Sequence, residues 1–132
     1  MVKKANIAID ERVMRIVKLT NYDNQFYEIE LINDGDYEMT DHKELVAAQK
    51  SMGGLKLPTV AICSDLSMMS VEMMRYVGKN ENDPYSKADA FVIKSISQRI
   101  VGNFYLKIIK PERPTRLFND KEEAYKWIKQ FF

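Results

Sequence analysis

Cysteine and histidine are almost missing from this sequence. Of 132 residues, one is cysteine, Cys63, and one is histidine, His42. A lone cysteine excludes an intrachain disulfide and fits a reducing, cytoplasmic setting. One His and one Cys, far apart in the chain, do not make a zinc set. The five glycines form no Gly-x-Gly-x-x-Gly and no Gly-Lys-Ser/Thr, so no phosphate-cradling loop is written here. No Gly-x-Ser-x-Gly elbow exists for a serine hydrolase. The acidic run Asn33-Asp34-Gly35-Asp36-Tyr37-Glu38 lacks the calcium-loop pattern and reads as a polar turn. No run reaches the roughly 18 apolar residues of a membrane-spanning helix. The basic start Met1-Val2-Lys3-Lys4 is followed by no apolar signal core. No cofactor is expected.

What is present describes an ordinary globular chain. Hydrophobic residues make up 45% and charged residues 30%, a balance that supports a core and excludes disorder. The length suits one domain, which needs no metal or disulfide to fold. Net charge is +1, yet its distribution is uneven. Residues 1–50 carry 7 basic and 10 acidic side chains, whereas residues 94–132 carry 9 basic and 4 acidic. The excess lies in Lys94, Arg99, Lys107, Lys110, Arg113 and Arg116. It reads either as a solvated rim or as a site for an anion or acidic partner. Nucleic acid is not expected, because the nearby aromatics Phe104, Tyr105 and Phe118 sit in apolar patterns.

Periodicity places the elements. Asn6 to Leu19 and Phe26 to Ile32 read as two strands joined at the turn Tyr22-Asp23-Asn24-Gln25. A helix over 41–52, capped by Thr40 or Asp41, places Leu45, Val46, Gln49 and Met52 on one face, and Gly53-Gly54 ends it. Leu57 to Cys63 is a continuous apolar run, the pattern of a central parallel strand covered on both faces. A helix from Ser70 to Val77 follows, then a buried-looking strand from Ala88 to Lys94. The next helix, Ser97 to Ile109, is capped by Ser95 or Ser97 and carries the stripe Ile100, Val101, Phe104 and Ile108. Gly102 interrupts it at a cost of about 1 kcal/mol against alanine, which suggests close packing against another backbone. Pro111 and Pro114 stop this helix. Thr115 to Phe118 is a short strand, and Asn119 or Asp120 caps a last helix whose apolar face is Ala124, Trp127, Ile128 and Phe131. The order β-β-α-β-α-β-α-β-α predicts an α/β domain with a mainly parallel open sheet of about five strands and four helices.

Two clusters stand out as candidate site residues. Met68, Met69, Met73 and Met74 fall within seven residues and cover two sides of a short helix. They serve either as plastic core packing or as an adaptable binding wall. Ser64, Ser67 and Ser70 crowd the same junction, where a helix start leaves N–H groups to be capped. Cys63 ends the preceding strand and reads as buried and structural, with His42 at the exposed start of a different helix.

The segment Thr59 to Ser70, with its apolar strand, Asp65-Leu66-Ser67 and following helix, resembles STAS domains of the SpoIIAA group. Phe91-Val92-Ile93-Lys94-Ser95, Gly102-Asn103-Phe104-Tyr105-Leu106-Lys107, Pro114 to Phe118 and Asn119 to Ala124 are similar to small bacterial STAS/SEC14-like proteins. The resemblance covers nearly the whole chain. It implies a SpoIIAA-like sheet-and-helix domain that usually binds a protein partner and sometimes a small or lipidic ligand. Antagonists of that group are switched by phosphorylation of a serine in Asp-Ser-Ser-Gly. Here the matching run is Ser70-Val71-Glu72-Met73, so the acceptor position is Val71.

The expected function is a non-enzymatic, STAS-like binding or regulatory protein acting through protein–protein contact at Ser64, Asp65, Ser67, Met68, Ser70 and Met74. The alternative is a carrier or sensor of a small apolar or anionic ligand, walled by the methionines and met by Lys94, Arg99 or Arg116. No acid–base pair can be assembled, so no catalytic residue is expected. A homodimer is plausible from general frequency alone.

Overall fold

A computed structural model describes residues 7–64 and 68–132. Its six strands, β1 (Ala8–Val13), β2 (Val17–Tyr22), β3 (Phe26–Leu31), β4 (Leu57–Ile62), β5 (Ser86–Val92) and β6 (Thr115–Phe118), lie side by side in chain order. Four helices are interspersed: α1 (Met39–Ser51), α2 (Val71–Val77), α3 (Ile96–Phe104) and α4 (Lys121–Ile128). The first three strands form an antiparallel meander, and β3 to β6 run parallel.

Each parallel crossover advances one strand in the same direction, which puts α1, α2 and α3 on one face of the sheet. The last helix, α4, packs over the other face. The period-two alternation of the strands divides the core accordingly. Phe26, Val60, Ile62, Ala90, Val92 and Phe118 pack against Ala124, Tyr125 and Ile128 of α4. Tyr27 and Leu57 face the opposite way, toward Leu45 of α1. Every residue of β4 is buried, as its unbroken apolar run predicts.

The sheet has one strand more than expected. Asn6 to Leu19 is not a single strand, because the chain reverses at Met14–Ile16, where the Met14 N–H donates to the Val17 carbonyl at 2.8 Å. No glycine, proline or asparagine marks this turn. It is held instead by Arg15, whose guanidinium reaches Asp41 at 2.5 and 2.9 Å. That contact also shifts the start of α1. The N-cap is Glu38, and Asp41 is the third helical residue of a reciprocal capping box. Ser70, Ser95 and Asp120 cap the other three helices, each accepting from a backbone N–H three residues on.

Two further expectations are corrected. The predicted stripe of α3 is only half inward. Ile100 and Ile108 are 66% and 60% exposed; Ile100 lies on the outer side of α3, and Ile108 falls in the wider π-helical turn, Tyr105–Ile109, which rotates the register after Phe104. Gly102 packs against a side chain and not a backbone: a Cβ there would sit 2.7 Å from the Leu117 Cδ1.

Candidate functional site

The inward positions of the parallel strands and the three helices above them do not close on one another. Ile29 and Leu31 of β3, Thr59 and Ala61 of β4, Asp89 and Phe91 of β5 and Leu117 of β6 form a floor. Met69, Met74, Val77, Val101, Gly102 and Tyr105 form the opposing wall, leaving a cavity of about 170 Å³. The small side chain of Ala61 on the floor helps to leave the space, whereas Gly102 above is packed against Leu117.

One end of the cavity is polar. Arg113 follows the π-helical turn and is buried, with 3% of its side chain exposed. Its Nε donates to Asp89 Oδ2 at 2.7 Å, and its Nη2 donates to Asp83 Oδ2 and to the Val77 carbonyl, each at 2.7 Å. Its Nη1 donates to Asn80 Oδ1 at 3.3 Å. Asp89 Oδ1 accepts from Ser86 Oγ at 2.6 Å. One guanidinium thus faces two carboxyl groups. Burial, and then the Asp89 charge, push the Asp83 pKa well above the carboxylate range, while Arg113 opposes the shift.

His42 closes the same end. Its Nε2 lies 2.7 Å from the Asn82 carbonyl, which can only accept, so Nε2 carries the proton. Nδ1 therefore accepts from the Tyr37 hydroxyl at 2.9 Å. Burial holds the His42 pKa below its ordinary value, so the ring is neutral. The residue is 2% exposed, against the expectation of an exposed position.

Tyr105 is the exception to this saturation. It is 5% exposed, its ring meets Phe91 edge-on at 6.0 Å, and its hydroxyl is buried with no hydrogen-bond partner. Burial and the nearby Asp89 raise its pKa, with Arg113 acting in the other direction. Toward the far end Cys63 borders the cavity, its thiol pushed up to about 11 by burial. Among the described residues no three His, Cys, Asp or Glu side chains come together to hold a metal ion.

The residues singled out from sequence are scattered by this geometry. Met68 and Met74 both border the cavity; Met68 is 41% exposed and Met74 is buried. Ser70 spends its hydroxyl capping α2. The Ser64 carbonyl accepts from Gln98 Nε2. Asp65 and Ser67 lie outside the described residues. The three cations expected at a ligand head group do not border the cavity. Lys94 stands with Glu30 and Asp34 at the carboxyl ends of the strands. Arg99 donates to Asn119, and Arg116 lies over the Phe118 ring, 5.3 Å from its centroid. Arg113, Asp83, Asp89, His42 and Tyr105 take their place. Asp89 carried a signal: a charge inside a strand buried on both faces must find a partner there.

Residues 29–132 match the model of a family described as a domain of unknown function, DUF7793. The chain belongs to that family. No curated protein matches it. The DUF7793 fold is similar to that of an uncharacterized protein of the DUF3478 family from Shewanella loihica PV-4, described as SpoIIAA-like. The TM-score is 0.55 over 85% of this chain and 91% of that one, at 12% identity. At that identity the likeness shows the fold alone, and it agrees with the SpoIIAA-like resemblance read from the sequence. No helix among the described residues is long and apolar enough to cross a membrane.

Proposed function

We propose that this DUF7793 protein binds a small, largely apolar molecule in the cavity between the sheet and α2–α3, as a carrier or sensor and not as an enzyme. The apolar-lined cavity carries this reading. Native interiors pack to crystal-like density, and a void of about 170 Å³ lined by packed side chains forfeits dispersion contacts that a ligand restores. Catalysis is disfavoured by the same geometry. Both His42 nitrogens are committed, the Cys63 thiol is held protonated, and Arg113 already makes four hydrogen bonds.

The test is a titration with toluene, followed through the methyl signals of 13C-labelled methionine. Met69 and Met74 are expected to shift saturably. Ala61→Ile, which fills the floor of the cavity, is expected to abolish the shift while leaving the remaining methyl spectrum native. Signals that do not move, or that move equally in the filled variant, would sink the reading.

A regulatory contact with another protein is the second reading. It is favoured by the apolar outer side of the cavity wall, where Ile96, Ile100 and Ile108 are 81%, 66% and 60% exposed. Such a surface would report ligand occupancy to a partner. Serine at Ile96 and Ile100 would then abolish co-purification of that partner without altering toluene binding; recovery at the wild-type level would count against it.

A further inference from the structure

The α3 helix is apolar on two sides, and the core uses only one of them. Its residues Val101 and Gly102, with Tyr105 just beyond, wall the cavity. Ile96 and Ile100, one turn apart, lie on the other side and stay in water, as does Ile108 in the π-helical turn. Ile96, at 81%, is the most exposed large apolar side chain among the described residues. Isoleucines left in water add nothing to the core, and three on one short helical segment form a surface that a partner can cover.

The charge around these isoleucines has one sign. From Ala90 to Pro111 the chain carries Lys94, Arg99, Lys107 and Lys110 and no acidic residue. Arg99, Lys107 and Lys110 are exposed. Among the described residues neither Lys107 nor Lys110 is ion-paired. Aliphatic side chains and cations thus share one face. That is the composition of a helix lying in a membrane interface, with its apolar side chains among the acyl chains and its cations at the headgroups.

Other occupants fit this face less well. A second copy docked through it would set Arg99, Lys107 and Lys110 against cations of the same sign. A nucleic acid calls for cations beside stacking aromatics, and the exposed apolar residues here are aliphatic. Protein interfaces are depleted in lysine and enriched in aromatic residues, whereas lysine and isoleucine dominate this surface.

We infer that the outer face of α3 and its π-helical turn docks on an anionic lipid bilayer. Ile96, Ile100 and Ile108 seat among the lipids, and Arg99, Lys107 and Lys110 meet the anionic headgroups. Docking by this outer face does not depend on what the cavity holds, and the bilayer takes the place of a protein partner there. A chain seated in this way holds the cavity wall against the bilayer, where apolar molecules collect.

The experiment is sedimentation with vesicles of phosphatidylcholine, either pure or mixed equally with phosphatidylglycerol. Wild type is expected to bind the anionic vesicles at least about tenfold more tightly than the neutral ones, with added salt narrowing the gap. Lys107→Gln with Lys110→Gln is expected to weaken anionic-vesicle binding about thirtyfold, the contribution of two surface cations. Lys43→Gln with Lys50→Gln removes the same charge from exposed positions on α1 and is expected to leave binding nearly unchanged. Ile96→Ser with Ile100→Ser alters only exposed side chains, so the fold should stay native while binding weakens about tenfold. Wild type left in the supernatant with anionic vesicles would overturn the proposal and leave this face to a protein contact. So would equal losses from the two lysine pairs, or binding unmoved by the isoleucine substitutions.

Discussion

Replacing Arg113 with methionine should be the most damaging single change at the polar end of the cavity. Methionine matches the aliphatic length of the side chain but donates nothing. The substitution removes four hydrogen bonds and leaves the Asp89 carboxyl, 6% exposed, without its cation. The Val77 carbonyl and Asp83 lose the same donor. Breaking a buried pair by deleting one partner costs about 3–5 kcal/mol, because the remaining charge stays out of water. Urea unfolding followed by Trp127 fluorescence measures it, since this is the only tryptophan and it packs against Phe118 at 5.8 Å. With a urea slope of about 1–3 kcal/mol/M, the midpoint should fall by roughly 1–5 M. The loss should be smaller near pH 4 than at pH 7, because Asp83, whose pKa burial raises, is protonated there. Adding Asp83→Asn and Asp89→Asn to Arg113→Met removes the stranded charge and should recover part of the stability. A loss under about 1 kcal/mol, or a triple variant no better than the single one, would refute the view that charge pairing organises this end of the cavity.

Three smaller predictions follow from neighbouring groups. Tyr105→Phe in the ligand-free protein removes a buried, unpaired hydroxyl and should raise stability by about 1 kcal/mol, or Tm by about 2–4 °C; a fall in Tm by differential scanning calorimetry would contradict it. His42 has its folded-state pKa lowered, so its contribution is present above the unfolded value near 6.5 and is lost as pH falls and the unfolded chain takes up the proton. The stability difference between wild type and His42→Gln should therefore narrow from pH 7 to pH 5 in urea titrations; a constant difference would be inconsistent with a neutral, buried imidazole. Gly102→Ala gains about 1 kcal/mol of helix propensity but drives a methyl to within 2.7 Å of Leu117, so it should destabilise by roughly 1 kcal/mol net, and Leu117→Val should restore stability in the double variant.

The sheet was legible where burial alone dictates the pattern. The unbroken run of β4 could only be a central strand, and Ser70, Ser95 and Asp120 announce helix starts through chemistry contained in three residues. The reversal between β1 and β2 was not legible, because its anchor is Arg15 reaching Asp41, 26 positions away. Met68, Met69 and Met74 border the cavity, but the spacing of the methionines in sequence does not say which of them turns inward. The polar end was invisible for a related reason. Arg113 finds Asp89, Asp83 and Val77 across separations of 24, 30 and 36 residues, and no local motif encodes that meeting. The cations that local charge counting favoured, Lys94, Arg99 and Arg116, are instead spread over the carboxyl ends of the strands and the surface beyond. His42 looked exposed because it follows an acidic turn at a helix start. The loop carrying Asn82 folds over that start and buries it.

The central claim is that the cavity takes a small, largely apolar ligand. Diffraction from crystals soaked in bromobenzene tests it most directly, because bromine stands in for the methyl of toluene and scatters anomalously. The account predicts one bromine peak inside the cavity among Phe91, Val101 and Met74. Bromine found only on the outer surface would contradict it.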